Sequence, residues 1–325
     1  MIGKAIQFFI DIFRLHKLKI VCVILSALLF ALVLFPYDDL SEVVSTVVSE
    51  RTNNQIFLQF DRLGFQIFPL PALAVENVVV ESSFMPSLQA GHLSLAPSIT
   101  GFLSFRPGFN AGISDVWNGD IDVELKAGKK NEQGITQQLV RLEVDKIDLA
   151  KANESLDLPL KLQGKLSGDS NLTLDPSFAN QPEGDIEIQV KELRFPSGTI
   201  PTQMGPVMLP GMNWSNIQLK GRMNGGKLQI EQAQLGSASD LLNGTVKGEI
   251  DMRLEPRGAG QAGVSWGPYQ LTVDLNVNSK LDKDLGLFLG LLGNFKSATS
   301  TGSKYKFKVS GQRFGAPPSL SPANI

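Results

Sequence analysis

The residue types that most often do chemistry are scarce, at two histidines and one cysteine. His16 precedes the most apolar segment of the chain, Cys22 lies inside it, and His92 sits in QAGHLSLAP, a strand-like context. Their separation gives no His-x-x-His, His-Glu-x-x-His or Cys-x-x-Cys spacing, so a zinc ion has almost no ligands to use, and one cysteine can form no disulfide within the chain. GAGQAG, Gly258 to Gly263, fits the letters of the dinucleotide fingerprint. That fingerprint needs a strand directly before it and a helix directly after. Here Glu255-Pro256-Arg257 precedes and VSWGPYQL comes after, so glycines of a long hairpin loop explain the match better. Acidic residues alternate with apolar ones, as in Asp120-Ile121-Asp122, which is the pattern of a solvated strand face and singles out no acid–base pair. No P-loop lysine, G-x-S-x-G elbow or EF-hand loop occurs. The expectation is a non-enzymatic protein with no catalytic residue, cofactor or metal.

The elements that must position the remaining residues begin at the N-terminus. Ile20 to Phe35, IVCVILSALLFALVLF, is sixteen uncharged residues, about 24 Å as a helix. Lys4, Arg14, Lys17 and Lys19 stand before it; Asp38, Asp39 and Glu42 stand after it. This asymmetry predicts a cytoplasmic stub over 1–19, a transmembrane anchor over 20–37 and translocation of the rest of the chain. A cleaved signal peptide competes, but VLFPYDD offers no small-x-small cleavage site. Over 38–54, Leu40, Val43, Val44, Val47 and Val48 form the stripe of an amphipathic helix, with Asp39 and Glu42 as a capping box. Such a helix suits the edge or end of a sheet.

From residue 55 to 313, period-two alternation recurs between short polar turns, predicting about ten mostly antiparallel strands. In one register lie Leu158, Leu160, Leu162, Leu166, Leu172 and Leu174, with Gly164, Gly168 and Ser170 in the gaps. Seventeen residues would make an overlong strand, so the small residues mark a sharp bend or a hairpin. Ile186, Ile188 and Val190 continue the pattern, as do Val246, Ile250 and Met252. These leucines, isoleucines, valines and the methionine are the candidate apolar groove or core face. The β domain could divide into two halves near the Pro-rich stretch 201–214. LDKDLGLFLGLLGNF, 281–295, predicts a helix with Leu281, Leu285, Phe288, Leu292 and Phe295 on one face and Gly286, Gly290 and Gly293 on another. The tail 314–325 is expected to be disordered. The fold class is mainly β, an elongated, curved antiparallel sheet, either an open groove or a sandwich, preceded by a transmembrane helix and a short amphipathic helix. With 30 basic and 32 acidic residues and no basic block, the chain has no nucleic-acid footprint.

The order of parts, with LGFQIFPLPALAVENVVVES (63–82), LGLFLGLLGNF and the closing GSKYKFKVSGQRFGAP (302–317), resembles the AsmA-like superfamily of bacterial envelope proteins. Within it, the chain resembles the type II secretion system protein N family. The resemblance implies an inner-membrane protein, single-pass, with its N-terminus cytoplasmic and its β domain periplasmic. It also implies a non-enzymatic accessory role in protein secretion, with other secretion-system subunits and the inner membrane as partners. AsmA-like relatives further imply a groove able to hold phospholipid acyl chains. No catalytic residue belongs to the pattern, so none is carried over.

Overall fold

The structure is a computed structural model that describes residues 17–27, 30–31, 34–66, 71–82, 87–156, 161–202, 205–256, 262–290, 292–313 and 316–323. Its strands are β1 (Ile56–Gln59), β2 (Arg62–Gln66), β3 (Ala72–Ser82), β4 (Leu88–Pro97), β5 (Gly108–Val116), β6 (Gly119–Lys130), β7 (Thr136–Asp148), β8 (Gln163–Leu174) and β9 (Glu183–Phe195). Next come β10 (Gly198–Thr202), β11 (Gly205–Leu209), β12 (Met212–Asn224), β13 (Lys227–Leu235), β14 (Leu242–Pro256), β15 (Ala262–Asn278), β16 (Lys296–Ala298), β17 (Gly302–Gly311) and β18 (Ser319–Pro322).

Sixteen of these strands form one antiparallel sheet. The short turns seen in the sequence make the main body a meander in which consecutive strands are neighbours. Its edges run in the order β1-β3-β4 at one end and β15-β17-β16 at the other, and the two ends do not pair with each other. β10 and β11 form a separate hairpin, and β9 pairs directly with β12 across it. The ladder is therefore continuous at 201–214 and does not divide there into two halves.

Alternation sets the register. In β9, Ile186, Ile188 and Val190 lie opposite Gly221, Leu219 and Ile217 of β12, so apolar partners share one face and the intervening charged residues the other. Register shifts at seven of the pairings mark β-bulges. Each bends its strand and raises the local twist. Gly248 shows how tightly the strands approach. Its φ is +145°, a region favouring glycine, and a Cβ there would run into the Gln270 carbonyl oxygen.

Helices cover the two ends of the sheet and, at one margin, its middle strands β7 and β8. A 3-10 turn (Tyr37–Leu40) and helix Ser41–Arg51 lie against β2 and β1, and helix Leu149–Leu156 against β7 and β8. Tyr37, Leu40, Val44 and Ala152 join Leu63, Val75, Val78, Val116 and Ile147 in one buried cluster. At the other end Leu281, Leu285, Leu289, Leu292 and Phe295 pack with Val277, Tyr305 and Phe307.

Several expectations are corrected. No helix among the described residues is long and apolar enough to cross a membrane. The transmembrane element of the expected fold, the anchor bounded by Ile20 and Phe35, and the single-pass inner-membrane placement are therefore not borne out. A sandwich is excluded by the single large sheet. Residues 281–295 form not one helix but three short pieces, Ser279–Asp284, Gly286–Gly290 and Gly293–Phe295. The glycine side makes no close approach, since a Cβ at Gly286, Gly290 or Gly293 would meet nothing within 4 Å. Leu40, not Asp39, occupies the N-cap of Ser41–Arg51, without a side-chain cap. Within the tail expected to be disordered, β18 pairs with β17.

Candidate functional site

One face of the sheet carries three unbroken apolar rows made by directly paired residues. The first runs Leu63, Val75, Leu93, Ile113, Ile121, Val144, Gly168, Ile188, Leu219, Ala233, Val246, Val273, Phe307. Beside it lies Leu95, Ala111, Val123, Leu142, Ser170, Ile186, Gly221, Ile230, Gly248, Leu271, Val309. The third runs Phe109, Leu125, Val140, Leu172, Gly184, Met223, Leu228, Ile250, Tyr269. None of these positions is an Asp, Glu, Lys, Arg or His.

Exposure along the first row locates the open part. Leu63 and Val75 are 7% exposed beneath the N-terminal helix, Phe307 is 6% exposed beneath the C-terminal turns, and Ile188 between them is 38% exposed. Leu142 in the second row is 36% exposed. Among the described residues the helices make their main contacts on strands other than β9, β12, β13 and β14, with Met212 and Leu242 packing against the C-terminal cluster at the margin, and the cluster of Ile230, Ala233 and Ile250 is packed by residues of the sheet itself. The floor at the open centre is small: Gly168 stands between Val144 and Ile188, and Ser170 between Leu142 and Ile186. Val144 of β7 and Val273 of β15 pack against the two covered clusters, so the open part of the row runs from β8 to β14, four strand spacings, about 19 Å at ~4.8 Å each. That exceeds the roughly 15 Å depth of one bilayer leaflet's hydrocarbon, so a single acyl chain fits along it.

The sequence-derived residues are brought together on this face, with exceptions. Leu166 and Val190 are direct partners, Leu172, Ile186, Ile188, Val246 and Ile250 pair with Gly184, Ser170, Gly168, Ala233 and Leu228, and Met252 pairs with Trp266. Leu174 pairs with Gln138 at the end of β8, and Leu162 precedes that strand. Leu158 and Leu160 lie outside the described residues. The strip is shorter than the alternation suggested. Helix Leu149–Leu156 precedes it, and β8 passes through Gly164 with a bulge and through Gly168 and Ser170 with no turn. That helix escapes the periodicity because Leu149 extends the strand register. Its signal is Asp148, whose Oδ1 accepts from Ala150 N at 2.9 Å as a cap does.

The opposite face is charged and solvated. Asp122, Glu143, Asp169, Glu187 and Lys220 succeed one another across the ladder. Arg141 bridges Glu143 and Asp169, and Lys220 meets Glu187 at 3.1 Å. Such exposed pairs contribute about 0–1 kcal/mol each. Burial and then the charges of Glu143 and Asp120 push the Asp122 carboxyl up. Among the described residues no group of three or more His, Cys, Asp or Glu could hold a metal.

The chain matches no family model, no curated protein and no solved structure at a significant level. The likeness to the type II secretion protein N family therefore rests on the quoted sequence stretches alone.

Proposed function

We propose that the chain is a lipid-binding protein that holds acyl chains along the open apolar face of its sheet. The observation that carries this reading is the set of uncharged rows, closed by helices at both ends and left without a covering layer in the middle. An uncovered apolar surface of this extent marks a binding site rather than ordinary surface. The ligand class comes from the lining: aliphatic side chains over a floor of small residues suit an unbranched hydrocarbon and offer nothing to a charged substrate. A secretion accessory role remains a second proposal from the resemblance, with no feature of the fold singling out a secretion subunit.

Leu142→Asp and Ile188→Asp test the reading, because both positions are more than a third exposed and a carboxylate there need not unfold the sheet. Each variant is expected to keep its unfolding midpoint within a few degrees while losing at least about tenfold in affinity for a fluorescent fatty acid, the burden of a charge set against an apolar ligand. Unchanged affinity in a folded variant would sink the proposal. Ile250→Asp is the contrasting case, since Ile250 is 8% exposed and the charge there costs stability instead.

A further inference from the structure

The loop between β4 and β5 carries an apolar patch that nothing among the described residues covers. Phe102 is 81% exposed, Leu103 73% and Phe105 95%. Single exposed hydrophobics are ordinary, but three large ones within four residues at a loop tip are not.

The tip is built, not slack. Ser98, 2% exposed, caps helix Ile99–Leu103 by accepting from Gly101 N at 2.9 Å. Glu124 of β6 accepts from Ser98 Oγ and Thr100 Oγ1, both at 2.7 Å, and pairs with Lys126 at 2.7 Å. Arg106 N donates to Gly101 O at 2.7 Å and closes the loop. Phe105 is held at a φ of +55°, an outlier for a bulky residue. The geometry thus fixes these side chains outward at a cost in backbone strain.

Cations lie at the foot of the loop. Ala127 N donates to Pro107 O at 2.9 Å, tying the foot of the loop to the stretch of β6 that ends in Lys129 and Lys130. Arg106, Lys129 and Lys130 are exposed and enter no ion pair among the described residues. Glu132 in the next turn offsets one charge, and Asp175 of the neighbouring turn is bound by Asn131, Ser177 and Asn180. Behind the tip, Pro97 pairs with Phe109 and Phe109 with Leu125, so its base joins the third apolar row.

We propose that this tip docks the protein on an anionic lipid surface, with Phe102, Leu103 and Phe105 entering the interface and Arg106, Lys129 and Lys130 meeting the headgroups. A projecting tip offers no concavity for a peptide, whereas large apolar side chains flanked by cations match the chemistry of a lipid interface. The inference deepens the lipid-groove reading and rests on it for what the contact achieves: the docked tip sets the end of the apolar rows against the hydrocarbon.

The test places an environment-sensitive fluorophore (NBD) at Phe105→Cys in a full-length Cys22→Ser chain, so that the readout is local to the tip. Vesicles of phosphatidylcholine and phosphatidylglycerol at 7:3 are expected to blue-shift and brighten the label. The added change Lys129→Glu/Lys130→Glu is expected to weaken this response at least about tenfold, from roughly 1 kcal/mol per cation near an anionic surface. Emission that ignores vesicles, or a response indifferent to the charge reversal, overturns the proposal. Uptake of a soluble fatty acid by the same labelled chain without vesicles reads the groove separately. Uptake without insertion sinks the tip alone, and insertion without uptake sinks the groove alone.

Discussion

Asp282 ties the C-terminal turns to the sheet by accepting from Tyr305 Oη at 2.6 Å, Lys296 Nζ at 2.8 Å and Ser303 Oγ at 2.9 Å. Lys296 first, then Tyr305, hold its carboxyl below the usual 3.8, while burial and then the same carboxylate push the Tyr305 phenol up. A depressed carboxyl contributes its stability in full above the unfolded value and loses it as pH falls through the folded one. Asp282→Asn is therefore expected to cost about 1–3 kcal/mol at pH 7 and progressively less as pH is lowered below 3.8, by urea unfolding across that range. A cost that does not fall as pH is lowered would contradict the ionic role. None of this is legible in the sequence, because Asp282 and Tyr305 are 23 residues apart and only the turn structure between them brings them together. By contrast, Ile186, Ile188 and Val190 are readable as one face, since the period of two is a local property of an extended backbone.

At the scale of elements, the sheet shares out each of its edges between two short strands. The outer side of β3 is divided between β1, opposite Val79–Ser82, and β2, opposite Ala72–Glu76. The outer side of β17 is divided between β16, opposite Ser303–Tyr305, and β18, opposite Phe307–Ser310. Short edge strands offer little to template pairing with another chain. Removing 316–325 should leave the unfolding midpoint within a few degrees, as the four residues of β18 are all exposed, yet raise concentration-dependent light scattering. A truncated chain that scatters no more than the intact one would contradict this protective role. Proline-containing segments account for much of what alternation leaves unread. SLSP forms β18 and the 201–214 stretch begins inside hairpin β10–β11, although proline marks breaks more often than strands. Alternation is equally silent over 98–107, where Ser98 before Ile99 is the one cap signal.

At the scale of the whole molecule, the main body among the described residues is one broad sheet, and the apolar rows are its consequence: side chains such as Leu142 and Ile188, which a sandwich would bury, are left more than a third exposed. Sequence pattern foretells a greasy face but not its cover, because alternation is identical whether the face meets a sheet, a helix or a ligand. The strand pairing closes that gap by leaving the centre, around Leu142, Ile188 and Leu219, without a protein partner layer among the described residues. Photolabelling of the intact chain with a diazirine-bearing fatty acid, read by peptide mass spectrometry, puts the groove to the test. Labels are expected on β7, β9 and β12 peptides containing those three residues, and to fall when unlabelled fatty acid competes. Labels confined to the apolar 20–35 segment, or distributed as in the urea-unfolded chain, would contradict a lipid groove.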